Sequence, residues 1–134
     1  MGDAHPAREP RRVVIVDDDE YTRDLLEAMV DADDRFELVG VARDGRVALS
    51  LVEWLRPDVV VIDLQVRGLD GLDAIAGFRQ RAPDCRIVVM SAFPDLCSLA
   101  DLVLRGVDLY LDKANAFAEL LPALAALTDQ QARA

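Results

Sequence analysis

The chain has 134 residues, enough for one domain, and 52% of them are apolar, which excludes disorder as its main state. Its formal charge is −10, from 15 Lys and Arg against 25 Asp and Glu, so no direct nucleic-acid binding is expected, because phosphate contacts need a basic surface. No apolar run is long enough to cross a bilayer and no charged-then-apolar signal opens the chain, so no membrane association and a cytoplasmic location are expected.

Residues 1–11 are polar, with two prolines and the lone histidine, His5, and read as a mobile tail. A histidine in a tail leaves nucleophilic, phosphotransfer and zinc chemistry to other groups, and carboxylates are the abundant candidates. Cys85 and Cys97 lack metal-ligand spacing and read as two reduced, partly buried thiols.

Arg12–Val16 is a β-branched run that ends in Asp17, Asp18, Asp19 and Glu20. Asp19 is placed to cap a helix from Glu20 to about Asp31. Phe36–Ala42 reads as an edge strand interrupted by Gly40. Arg46–Leu55 reads as a helix, with Val47, Leu51, Trp54 and Leu55 on one side and Trp54 as a packing residue. Pro57 leads into Val59–Ile62, an unbroken apolar strand that ends in Asp63. Such a run fits a strand covered on both faces, and an acid at its end calls for a reason, since burying a charge is costly.

Asp70 is expected to cap a helix over Gly71–Arg81, with Leu72, Ile75, Ala76 and Phe78 facing inward. Arg86–Met90 is a fourth strand and ends in Ser91. Pro94 and Asp95 open a helix to about Arg105, followed by Gly106. Val107–Leu111 is a fifth strand, followed by Asp112 and Lys113. Asn115 is expected to cap a last helix to about Leu127, bent at Pro122. Residues 12–128 are expected to form the domain and 129–134 a polar tail.

Strict βα alternation with short loops predicts an α/β fold: a doubly wound five-stranded parallel sheet in the order 2-1-3-4-5, a flavodoxin-like three-layer sandwich. That order brings Asp17, Asp18, Asp63, Ser91 and Lys113 to the carboxyl edge of the sheet. Three convergent carboxylates suit Mg²⁺, a hard cation that takes oxygen ligands. Lys113 and Ser91 would supply a positive charge and a hydroxyl to a phosphoryl group. Asp63 would be the nucleophile. Each residue alone has a bland reading as a helix cap or a loop polar group. The joint placement at successive strand ends does not.

The motifs Val-Asp-Asp at 16–18, Val-Ile-Asp-Leu at 61–64, Gly-Leu-Asp-Gly at 68–71, Met-Ser-Ala at 90–92 and Tyr-Leu-Asp-Lys at 110–113 resemble the receiver domain of two-component response regulators. The wording of the middle section is similar to receivers of the NarL/FixJ subgroup. The resemblance covers Arg12 to about Leu127. It implies that Asp63 accepts a phosphoryl group from a sensor histidine kinase or phosphotransfer protein. It implies that Asp17, Asp18, Asp63 and the Gln65 backbone carbonyl hold Mg²⁺. Ser91 and Lys113 would contact the phosphoryl group, and Ser91 and Tyr110 would form the switch pair. The domain would then be a signalling domain rather than a turnover enzyme.

Two positions depart from the family pattern: Arg67 and Ala114 stand where many members have proline. A cis bond after Lys113 is therefore not expected, since a cis non-proline bond costs about 3–4 kcal/mol. Gln65 and Phe93 lie where side chains influence access of the hydrolytic water. No helix-turn-helix region follows the fifth helix, so a stand-alone receiver or the receiver part of a larger regulator is expected. The fourth helix is unusually apolar, at Leu96, Leu99, Leu102, Val103 and Leu104. A partner surface is expected there, in one form a homodimer face of the phosphorylated state.

The competing readings are a degenerate receiver acting as a phosphorylation-independent interaction module, an Asp-nucleophile phosphatase and a flavin- or nucleotide-binding domain. The phosphatase, in the haloacid-dehalogenase manner, needs a general acid two residues after the nucleophile, where this chain has Gln65. The nucleotide-binding reading lacks a glycine-rich phosphate cradle after the first strand.

Overall fold

The structure, a computed structural model, describes residues 9–64, 71–91 and 99–133. Ten elements alternate along the chain: β1 (Arg11–Val16), α1 (Glu20–Asp31), β2 (Phe36–Ala42), α2 (Gly45–Leu55), β3 (Val59–Asp63), α3 (Gly71–Arg81), β4 (Arg86–Ser91), α4 (Leu99–Leu104), β5 (Leu109–Asp112) and α5 (Lys113–Arg133). All strand pairs are parallel and the order is β2-β1-β3-β4-β5, as the alternation predicts. The chain reverses its winding between β1 and β3, and in open parallel sheets the carboxyl ends at such a point are where ligands bind.

Both faces of the sheet are covered, which is why β1, β3 and β4 read as unbroken apolar runs. Val14, Val16, Val60, Ile62, Ile87 and Val89 face α2, α3 and α4, where they meet Val52, Ile75, Phe78 and Leu102. The alternate residues Val13, Ile15, Val59, Val61, Val88 and Met90 face α1 and α5, where they meet Leu26, Val30, Leu120 and Leu124. The period of two along each strand divides the core into these two layers. Helices α2 and α3 approach closely at Gly77, where a β-carbon would collide with the Leu49 side chain.

β2 is an edge strand, as expected, and it carries a register shift: Val13 pairs with Leu38 while Val14 pairs with Gly40. The extra residue, Val39, blunts the free edge.

Several local expectations are corrected. Trp54 is not a packing residue: it is 85% exposed, on the outer face of α2, and Val47 is 46% exposed beside it. In α3 it is Ala74, not Ala76, that joins Ile75 and Phe78 in the core. The strand β5 starts at Leu109, because the Val107 N–H is taken by the Leu102 carbonyl in the preceding turn. Asp112, not Asn115, stands at the start of α5, with Oδ1 accepting from the Ala114 N–H at 3.0 Å. The same helix passes through Pro122 and continues to Arg133, past the expected end near Leu127. The cap expected at Asp70 and the helix start at Pro94–Asp95 lie outside the described residues. Among the described residues no peptide bond is cis, including the one after Lys113, and no helix is long and apolar enough to cross a membrane.

Candidate functional site

The acidic run after β1 divides its work. Asp19 caps α1, its Oδ2 accepting from the Thr22 N–H at 3.4 Å and from the Thr22 hydroxyl at 2.5 Å. Asp17 is fully buried. Its backbone N–H extends the pairing to β2 through the Ala42 carbonyl, and its Oδ1 accepts from the Asp19 N–H at 2.9 Å. Its other oxygen, Oδ2, is buried and makes no hydrogen bond among the described residues. Asp18, half-buried, lies beside it. The first three acids after β1 are thus a cap, a buried carboxylate and a half-buried one, not a uniform capping run.

Val16 pairs with Ile62 in the β1–β3 ladder, so Asp17 and Asp63 stand side by side one step beyond. Asp63 pairs with Met90 and is 3% exposed. One oxygen from each of Asp17, Asp18 and Asp63 lies within 4.8 Å of the others.

Lys113 reaches this cluster from the start of α5. Its Nζ lies 2.7 Å from Asp63 Oδ2 and 3.3 Å from Asp17 Oδ2. Burial pushes the Asp17 carboxyl above its ordinary range, against the lowering by the Asp19 N–H and Lys113. Burial alone would lower the Lys113 ammonium, but the hydrogen bond to Asp63 and the charges of Asp17 and Asp63 outweigh it and leave it raised. Among the described residues, the Lys113 ammonium meets the Asp17 and Asp63 carboxylates, with the Asp18 carboxylate close by.

Ser91 ends β4 one residue past Met90, pairs with Asp112, and is fully buried. Tyr110 pairs with Val89, and its ring packs against the core layer under α2, α3 and α4. The structure therefore brings Asp17, Asp18, Asp63 and Lys113 into direct proximity and puts Ser91 at the same edge. Gln65, Arg67 and Phe93 lie outside the described residues. Arg23 joins the site without having been expected there: its Nη1 donates to the Asp17 carbonyl at 2.9 Å and steadies the loop after β1. In the sequence it is one polar residue on a helix, with nothing to mark it.

Could these residues hold a divalent cation? The donor set is all carboxylate oxygen, which suits Mg²⁺. The buried Asp17 Oδ2 makes no well-formed hydrogen bond among the described residues and meets the Lys113 ammonium at 3.3 Å, so a cation beside it would offset the cost of its burial. The residues present fit the ion.

The sequence signature of the response regulator receiver domain matches residues 13–125. The chain is 42% identical over 100 residues to protein-glutamate methylesterase/protein-glutamine glutaminase 3 of Myxococcus xanthus, covering 75% of this chain and 26% of that protein. It is 33% identical over 115 residues to the transcriptional regulatory protein LiaR of Bacillus subtilis, covering 86% of this chain and 54% of that protein. The chain thus spans about a quarter to a half of the curated relatives it matches. Among solved structures it is similar to the receiver domain of the response regulator NarL of Mycobacterium tuberculosis, with a TM-score of 0.82, 27% identity, and coverage of 91% of this chain and 98% of that one. With the family signature spanning residues 13–125, nearly the whole sheet and its helices, the chain belongs to the response regulator receiver domain family of two-component systems.

Proposed function

We propose that this chain is a phosphoryl-accepting switch in which Asp63 is the acceptor. The observation that carries this reading is the closure of Lys113 on Asp63 at 2.7 Å beside two further carboxylates. The Asp63 carboxylate attacks phosphorus of a phosphohistidine on a sensor kinase or phosphotransfer protein. The phosphorus–nitrogen bond breaks, the imidazole leaves with a proton, and an acyl phosphate forms on Asp63.

Asp17, Asp18, Asp63 and the Gln65 backbone carbonyl would hold Mg²⁺, which when bound supplies positive charge to the phosphoryl oxygens. Asp17 stays in place because its Oδ1 is held by the Asp19 N–H and its carbonyl by Arg23. Lys113 exchanges its contact with the bare carboxylate for one with a phosphoryl oxygen. The Ser91 hydroxyl donates to another, and Tyr110 follows Ser91 as the second half of the switch. The added charge at Asp63 is what biases the two states. Lys113 and Ser91 act by electrostatics and hydrogen bonding, with no proton transfer required of them.

The signal leaves through protein–protein contacts. Val103 and Leu104 on α4 are 69% and 84% exposed, which supports a partner surface there. In the phosphorylated state a homodimer forms on it. Light scattering with and without beryllofluoride checks this, and an unchanged mass counts against the dimer.

The acceptor reading is tested by incubation with acetyl phosphate, with and without Mg²⁺, followed by intact-mass measurement. One phosphoryl adduct is expected with Mg²⁺ and none in Asp63→Ala. A chain that binds Mg²⁺ yet takes up no phosphoryl group overturns the reading.

A further inference from the structure

A heavily cross-linked pair of polar groups, Arg79 and Asp108, lies far from the site, at the amino edge of the sheet. The Asp108 N–H donates to the Ile87 carbonyl at 2.9 Å, and the Ile87 N–H donates back to Asp108 Oδ2 at 2.8 Å. The side chain thus completes a two-bond clasp on one residue of β4. Arg79, in the last turn of α3, donates to the same Oδ2 at 2.9 Å. Its guanidinium also donates to the carbonyls of Pro83, Cys85 and Gly106, at 2.8, 2.9 and 2.6 Å. Arg86 adds a weaker contact to Asp108 Oδ1 at 3.4 Å. Gly106 makes room for the clasp: its φ is +94°, and a β-carbon there would lie 2.9 Å from Arg79 Nε.

The strand beyond the clasp is short. β5 has four residues, Leu109–Asp112, and it is an edge strand paired only with β4. Its register begins at Val88 with Leu109, one step after the Ile87–Asp108 clasp. Four residues of one-sided pairing define register weakly. A slip of one residue moves a strand by about 3.3 Å and turns each side chain to the other face. Lys113 comes directly after β5, and its contacts with Asp63 and Asp17 at 2.7 and 3.3 Å would not survive such a slip.

We propose that Arg79 and Asp108 are positioning residues for Lys113: they fix the register of β5 from the opposite edge of the sheet and so set the distance from Lys113 to Asp63. Arg suits the task because its planar fork reaches three carbonyls and a carboxylate at once, which a lysine ammonium cannot reproduce. The kinetic consequence rests on the reading that Lys113 serves the transferred phosphoryl group. The structural consequence does not.

The test uses Arg79→Gln and Asp108→Asn in the full chain, with folding verified by circular dichroism. In the first arm, the Arg79→Gln structure is determined by crystallography. Lys113 Nζ is expected beyond hydrogen-bond distance of Asp63, and an unchanged contact overturns the proposal. In the second arm, phosphoryl uptake from acetyl phosphate is timed, and Mg²⁺ affinity is measured by calorimetry. Either variant is expected to slow uptake by about tenfold, since a misplacement of an ångström is costly to a positioned group. Mg²⁺ affinity should hold or rise, because its carboxylate ligands lie on other strands and lose a competing ammonium, so slower uptake is not a loss of metal. Adding Arg79→Gln to Lys113→Ala should cost less than about twofold more, since the two changes act on one interaction. A full tenfold loss on top of Lys113→Ala means that Arg79 acts through general stability, and the proposal falls. If the unsubstituted chain takes up no phosphoryl group, the acceptor reading fails and the first arm alone decides this one.

Discussion

The two edges of the sheet hold the same kind of side chain in opposite circumstances. At the amino edge, Asp58 accepts from the Arg12 N–H at 2.8 Å, and Arg12 donates to the carbonyls of Leu55 and Arg56. Asp108 is likewise met by two arginines and a backbone N–H. At the carboxyl edge, Asp17, Asp18 and Asp63 converge with Lys113 as the ammonium among them. At the amino edge both acids accept from a strand backbone N–H, and Asp108 is also paired with two arginines. At the carboxyl edge three carboxylates crowd within 4.8 Å of one another and burial pushes Asp17 toward its neutral form, which costs stability and suits the binding of a cation. A carboxylate's role is read from its partners, not from its burial.

That contrast can be broken in order of expected effect. Asp108→Ala should destabilise the chain by about 2–3 kcal/mol in urea denaturation, because it strands the Ile87 N–H and leaves two arginines without their acid. A loss under about 0.5 kcal/mol would show that the amino edge is not held by this group.

A second test uses Cys85, buried at the start of β4 with its thiol pushed up to about 12 by burial. The folded state keeps the proton well above the pH, near 8.5, at which an unfolded thiol releases it. Stability from this group is therefore intact at neutral pH and falls as pH rises from about 8.5 toward 12. In a Cys97→Ser background the fall should be about 2 kcal/mol by pH 10. Cys85→Ala should lack that component, and identical pH slopes for the two proteins would contradict it.

At the carboxyl edge the sign reverses. Asp17→Asn should raise stability by about 1 kcal/mol in EDTA, because it removes a buried charge from among its own kind. Added Mg²⁺ should erase that gain, since only the carboxylate binds the ion well. Thermal melts with and without Mg²⁺ read both effects, and a destabilised variant in EDTA would mean that this edge is already balanced. The smallest effect belongs to Trp54. Exposed on α2, it should tolerate Trp54→Ser within about 0.5 kcal/mol.

The strands and the site are legible in the sequence for one reason. Apolar runs that end in Asp17, Asp63 and Ser91 carry both the buried strand and the polar group placed at its tip. Alternation then gives the strand order, and the order gives the convergence. Trp54 misleads because a large apolar side chain need not be a buried one. The buried side of α2 is made by small and branched residues, Ala48 and Val52. Asp112 is hard to see as the residue at the α5 terminus because it also ends β5 and belongs to two elements at once. The helical course beyond Leu127 is hidden by its polar composition, although Gln, Ala and Arg are good helix formers. Arg79 and Asp108 carry no local signal. Their clasp joins residues 29 apart in sequence, and spacing says nothing about such a pair.

The central claim, that Asp63 takes the phosphoryl group, is tested most directly by trapping. The chain is incubated with acetyl phosphate and Mg²⁺, then treated with borohydride, which reduces an aspartyl phosphate to homoserine. Peptide mass spectrometry then locates the change. Homoserine at position 63, absent when Mg²⁺ is chelated, is the predicted result. Homoserine at another aspartate, or an unmodified Asp63 in a chain that carries the phosphoryl mass, would contradict it.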